Sequence, residues 1–117
     1  MYQSIFLYRV PKENVDDFVQ IQSEVAGIYR RYGALGNVTF VASNLEAQYG
    51  FLAFDEAFTV AEQEVILIEL ATYRDRAHQD EVSRKLATDE RSIMLYKKML
   101  TVLDRKRQVY GEFEQVV

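Results

Sequence analysis

The ten residues EVILIELATY, Glu64 to Tyr73, constrain this chain more than any other stretch. Side chains alternate across a strand, so Val65, Leu67, Glu69, Ala71 and Tyr73 share one side. Ile66, Ile68 and Leu70 share the other. A strand apolar on both sides belongs in the middle of a sheet whose two faces are both covered. The rest of the chain must therefore supply neighbouring strands and two coverings.

The flanking segments read as follows. Tyr2 to Val10 alternates between an aromatic-leaning side (Tyr2, Phe6, Tyr8) and an aliphatic one (Ile5, Leu7), which predicts a strand. Pro11 suits the first turn of a helix, and Glu13, Asp16 and Asp17 suit its positive end. Val15, Phe18, Val19, Gln22, Val25, Ala26 and Tyr29 then recur at helical spacing as an inward stripe. Arg30 and Arg31 favour the negative end, and Gly33 is a natural stop. Leu35 to Ser43 alternates again through Val38, Phe40 and Ala42. Asp75 is placed to cap a helix running to about Thr88, and a second helix is expected from Asp89 to about Leu103. Gln108 to Val117 reads as the last strand, Val109, Gly111 and Phe113 on one side and Tyr110, Glu112 and Glu114 on the other.

The order β-α-β-β-α-α-β predicts an α+β domain spanning 1–117: a ferredoxin-like split β-α-β with a four-stranded antiparallel sheet. Helices can cover one face of such a sheet. The other covering has to come from elsewhere, and a second copy of the same sheet is the simplest source, so a homodimer through sheet faces is expected. An aromatic share of 13%, eight Tyr and seven Phe with no Trp, supplies apolar area for that interface or for a ligand cleft. The segment 44–61 is too apolar for a solvated loop, with Tyr49, Phe51, Phe54 and Phe58 in it. It is read as a lid, as dimer packing, or as a short extra helix.

Composition narrows the chemistry. No cysteine means no disulfide, no thiolate catalysis and no Cys-based zinc site. A net charge of -4 gives no long-range pull toward phosphate backbones, and the central strand lacks the aromatic and basic motifs of an RNA-recognition domain. No nucleic-acid partner is expected. No apolar run is long enough to span a bilayer and MYQSIFLYRV lacks a basic leader, so the expectation is a cytoplasmic protein without membrane contact. One histidine leaves a transition metal short of ligands, and a heme ligand could only be His78 or a tyrosine, so no cofactor is expected.

Several stretches together carry a family likeness: YGAL ending the first helix, FDEAFTV, TYRDRAHQDEV around the histidine, and DRKRQVYGEF entering the last strand. With these the chain resembles the YbaA-like family of bacterial proteins in the dimeric α/β-barrel superfamily, in register over nearly its whole length. The resemblance implies a ferredoxin-like subunit whose sheet packs face to face on a partner's to form a shared barrel. Within the superfamily it points toward cofactor-independent monooxygenases, heme-degrading and chlorite dismutase-like proteins, and small-molecule binders; it carries no single reaction. Tyr32, Glu69, Leu70 and Glu112 depart from that family's more usual histidine, small polar residue, tryptophan and glycine.

Three sets of residues are candidates for a site. With Asp75 as cap, His78 is the third helical residue, and His78, Val82 and Leu86 share a stripe. Burial and the positive helix end both favour a neutral imidazole, which can serve as a general base; the alternative is a histidine bonded to backbone that holds the helix in place. Glu69, mid-strand and apolar on all sides, must be paired, protonated or reached by solvent. Arg9 or an arginine of a partner is the expected charge, and a ligand anchor is the alternative. Tyr8, Tyr110, Glu112 and Glu114 form a polar-aromatic patch suited to a small aromatic ligand, or a wet sheet edge. The enzymatic reading is cofactor-free oxygenation or isomerisation of a small apolar compound with His78 as base and Tyr8, Arg9, Glu69 and Tyr110 around the ligand. The competing reading is a ligand-sensing or structural dimer. A cavity of a few hundred cubic ångström lined by His78 and tyrosines separates the two.

Overall fold

A computed structural model describes residues 1–117. Four strands, β1 (Tyr2–Pro11), β2 (Gly36–Val41), β3 (Glu64–Tyr73) and β4 (Val109–Glu114), form one sheet in the order β2-β3-β1-β4. Every neighbouring pair is antiparallel. EVILIELATY is therefore interior, as its two apolar sides require. It pairs with β1 from Tyr2 opposite Tyr73 to Pro11 opposite Glu64, and with β2 on its other edge.

The helices α1 (Val15–Arg31), α3 (Arg76–Ala87) and α4 (Glu90–Met99) are the large ones, and a single turn, α2 (Phe54–Ala57), lies in the long connection. Phe18, Ile21 and Ile28 of α1 join Tyr8 and Val10 of β1, Leu67 of β3 and Leu95 of α4 in the main core. The inward stripe of α1 is thus rotated from the one read in the sequence. Val19 is 48% exposed, and Ile21 and Ile28 take the buried places. Apolar spacing alone admits both settings, and the sheet selects the one that puts Phe18 edge-on against Tyr8, ring centroids 4.8 Å apart. Gly33, at φ +105, ends α1 in a conformation that other residues resist.

The opposite sheet face carries Ile5 and Leu7, Ile68 and Leu70, and the outer Val38, Phe40, Val109 and Phe113. Part of the segment 44–61 folds over it. Phe54 and Phe58 stand above Ile5, Leu7, Ile68 and Leu70 across a gap of about 490 Å³. Arg9 points to this face and donates to the carbonyls of Phe58, Thr59 and Arg107, which fastens the segment there. The segment covers little of the outer strands, and Phe40 and Phe113 remain more than half exposed. No helix is long and apolar enough to cross a membrane.

Asp75 caps α3 as its position predicts, and Asp89, read as the first residue of the next helix, is the cap of α4. Asp75 accepts from the His78 amide at 2.8 Å, and Asp89 accepts from the Ser92 amide at 2.8 Å. Asp89 also takes the Tyr32 hydroxyl at 2.5 Å. The Tyr32 hydroxyl first, then the Ser92 amide, holds the Asp89 carboxyl below the usual range. A carboxyl depressed in the folded state contributes stability above its unfolded value, about pH 4, and that contribution disappears as pH falls through the folded value. Asp89→Asn is expected to lower the urea midpoint at pH 7 and to show a smaller further drop on acidification than the wild type. Asp75→Ala should cost about 1 kcal/mol in the same assay.

Candidate functional site

Glu69 lies on the helix side of β3, 2% exposed, with Phe6 opposite it on β1 and Thr39 opposite it on β2. Its carboxylate accepts three hydrogen bonds, all from neutral groups. The Tyr8 hydroxyl (β1) and the Gln22 amide (α1) donate to Oε1 at 2.8 and 2.9 Å, and the Asn37 amide (β2) donates to Oε2 at 2.7 Å. Gln22 also donates to Thr39 Oγ1 at 3.0 Å, so its amide nitrogen bridges strand and carboxylate. Burial, then the adjacent charge of Glu69, pushes the Tyr8 phenol far above the ordinary tyrosine range. Tyr29 is raised for the same two reasons. Both remain neutral hydroxyls at any physiological pH.

The expected partner of Glu69 is not Arg9. Alternation places Arg9 on the far face of β1, where it holds the chain near Phe58 and Thr59. Odd-numbered residues of β1 and odd-numbered residues of β3 lie on opposite faces, because antiparallel pairing sets Arg9 opposite Ile66 and Phe6 opposite Glu69. A sequence reading that treats each strand alone cannot see this parity.

Glu69, Tyr8 and Gln22 form the buried end of a cavity of about 330 Å³ between the sheet and helices α1 and α4. Aromatic walls come from Phe6, Tyr29, Tyr96 and Tyr110. Tyr96 and Tyr110, each about half exposed, flank the outer end, where Arg105 also stands. Phe6 links the two ends of the aromatic row, stacked on Tyr8 at 5.8 Å and tilted against Tyr110 at 4.6 Å. Tyr110 donates to Glu112 Oε2 at 2.5 Å, and Tyr2 donates to Oε1 at 2.6 Å. Those two hydroxyls hold the Glu112 carboxyl below its usual range. Burial, and then the bond to Glu112, pushes the Tyr110 phenol up to about 12.

His78 does not line this cavity. It is buried at the start of α3, its Nδ1 accepts the Arg74 amide at 3.0 Å, and its ring stands edge-on to Tyr73. Nε2 comes within 3.8 Å of the position a Cβ would occupy at Gly33, so the imidazole packs α3 against the turn that ends α1. Of the residues singled out in the sequence, Tyr8, Glu69 and Tyr110 meet at one cavity; Arg9 and His78 lie elsewhere. Gln22, Asn37, Tyr29 and Tyr96 were not among them. Gln22 alone carried a signal, as the one polar member of an apolar helix stripe.

An antiparallel sheet in this order, with helices on one face and a mostly apolar cavity beneath them, defines a ferredoxin-like α+β protein. Solved structures agree on the fold. An antibiotic biosynthesis monooxygenase superposes with a TM-score of 0.63 at 14% identity, over 100% of both chains. A dimeric ferredoxin-like protein of unknown function from Jannaschia sp. CCS1 superposes with a TM-score of 0.60 at 11% identity, over 98% of this chain and 100% of that one. The family model described as protein of unknown function (DUF1428) matches residues 1–105, and the chain belongs to that family. It is 25% identical over 116 residues to the uncharacterized protein YbaA of Escherichia coli (strain K12), covering 99% of this chain and 97% of that protein.

Tyr8→Phe removes one of three donors to a buried carboxylate and is expected to cost about 1.5–3 kcal/mol in urea unfolding. Glu69→Ala strands three buried donors and opens a void, and should cost more than Tyr8→Phe. An equal or smaller cost would mean that the carboxylate does not organise these groups.

Proposed function

We propose that this protein binds a small, largely apolar molecule in the cavity between the sheet and helices α1 and α4, as a homodimer closed through the other sheet face. The cavity carries the reading: about 330 Å³, mostly apolar walls, and a few polar groups gathered at its buried end. That combination is the usual form of a ligand site, at the small end of its size range. The open face supports the dimer. Val38, Phe40, Val109 and Phe113 leave an apolar surface beside strands that are apolar on both sides. Two such faces would close a shared barrel of two 117-residue domains, and a structural neighbour is described as dimeric.

The catalytic form of this reading is cofactor-independent oxygenation or isomerisation of the bound molecule, and a structural neighbour is named as a monooxygenase. Such chemistry needs a proton acceptor facing the ligand. Glu69 fills that position, and His78, turned toward Gly33, does not.

Ligand-observed NMR with indole tests the cavity. Saturation transfer to indole is expected for the wild type and should be lost in Met99→Trp, which fills the cavity from α4. Absence of transfer in the wild type, or unchanged transfer in Met99→Trp, would overturn the assignment. Light scattering after size exclusion tests the dimer: twice the chain mass for the wild type at micromolar concentration, and the monomer mass for Phe40→Asp. A monomeric wild type contradicts the proposal.

A further inference from the structure

The buried end of the cavity holds the Glu69 carboxylate, and no cationic side chain of the chain contacts it. The ion pairs of the fold, Arg31–Asp89, Lys85–Glu81, Arg91–Glu24 and Arg107–Glu64, all lie away from Glu69. No lysine, arginine or histidine nitrogen is within 4.0 Å of its oxygens. Tyr8, Gln22 and Asn37 solvate the carboxylate without neutralising it. A carboxylate has about four acceptor positions, and three are taken. The fourth lies on Oε2, which accepts only from Asn37.

The walls favour the same sign of charge. Phe6, Tyr8, Tyr29, Tyr96 and Tyr110 supply aromatic rings, whose faces attract cations. Tyr8 already spends its hydroxyl proton on Glu69, so the ring is its remaining contribution. The one cation of the lining, Arg105, is exposed at the outer end, where water screens it. An anion reaching the inner end would meet Glu69 in a medium of low dielectric, which is strongly unfavourable. A neutral apolar molecule would fill the space and leave the charge unbalanced. An ammonium group would add the missing counter-charge and the fourth hydrogen bond, and the cost of burying the carboxylate has already been met in folding.

We infer that the ligand of this cavity is a small protonated amine on an apolar or aromatic body, its ammonium group held by Glu69 and its body lying among Phe6, Tyr29, Tyr96 and Tyr110. This rests on the assignment of the cavity as a ligand site and specifies the chemical class it takes.

Three probes of nearly the same size separate the possibilities: benzylamine, benzyl alcohol and benzoate, titrated calorimetrically into the wild-type protein at pH 7 and low salt. Benzylamine is expected to bind at least tenfold more tightly than benzyl alcohol, with benzoate not bound. Glu69→Gln, if it folds, should bring benzylamine down to the level of benzyl alcohol and leave benzyl alcohol nearly unchanged. Because the comparison among probes is made on the wild type, it stands even if that variant does not fold. Benzyl alcohol binding as well as benzylamine would overturn the amine and leave the cavity assignment intact. Benzoate binding most tightly would overturn it through Arg105. If none of the three binds and indole does not either, the ligand site itself is lost.

Discussion

The Glu69 carboxylate is reached by one donor from each of three other elements, Tyr8 on β1, Gln22 on α1 and Asn37 on β2. No other group in the molecule joins so much of the fold at a single point. A buried carboxylate is tolerated only where its hydrogen bonds are supplied, so this residue demands that β1, β2 and α1 be in register with β3 before it is desolvated. Apolar packing around Phe18, Leu67 and Leu95 supplies most of the driving force and is permissive about setting. The carboxylate is not permissive. A slip of one residue in either strand pairing would turn Tyr8 or Asn37 to the far face and leave Glu69 without those donors.

The same residue ties stability to the cavity. Its carboxylate is both the node of the hydrogen-bond network and the polar end of the space beneath the helices. Asn37 Oδ1 is buried without a partner on the other side of that network, which is consistent with an amide whose orientation is dictated by its donation to Glu69. His78 plays a contrasting part. Its Nδ1 accepts the Arg74 amide, and its Nε2 lies beside the α1 terminus. The only histidine in a chain invites a catalytic reading. Here its surroundings account for it as the joint between α3 and the end of α1.

Much of the fold was legible because it follows from local pattern. EVILIELATY could be placed at the sheet centre from its two apolar sides, and the cap at Asp75 and the stop at Gly33 follow from backbone chemistry within a turn or two. The edge strands are shorter than their alternation suggested, β2 ending at Val41 and β4 at Glu114, because hydrogen bonds to a single neighbour stop where that neighbour's register stops. The stripe of α1 was misjudged at Val19 because neighbouring helical faces differ by one residue step, which apolar spacing does not separate. The aromatic connection was read partly as a lid. It lies on the face away from the cavity, held by Arg9, a contact between residues about fifty positions apart that no local pattern encodes.

By itself the sequence determined where the main strands and helices lie, that one strand must be interior, that a carboxyl sits within that strand, and that no thiol is present. Those conclusions depend on composition and on periodicities of a few residues. The tertiary structure alone decided what Glu69 meets. Its donors come from positions 8, 22 and 37, brought together by strand pairing and helix packing, and Arg9 is sent to the opposite face by the parity of that pairing. A site assembled from distant residues exists only once the register is set. The register is set by the sum of pairings across the sheet, which no single segment contains.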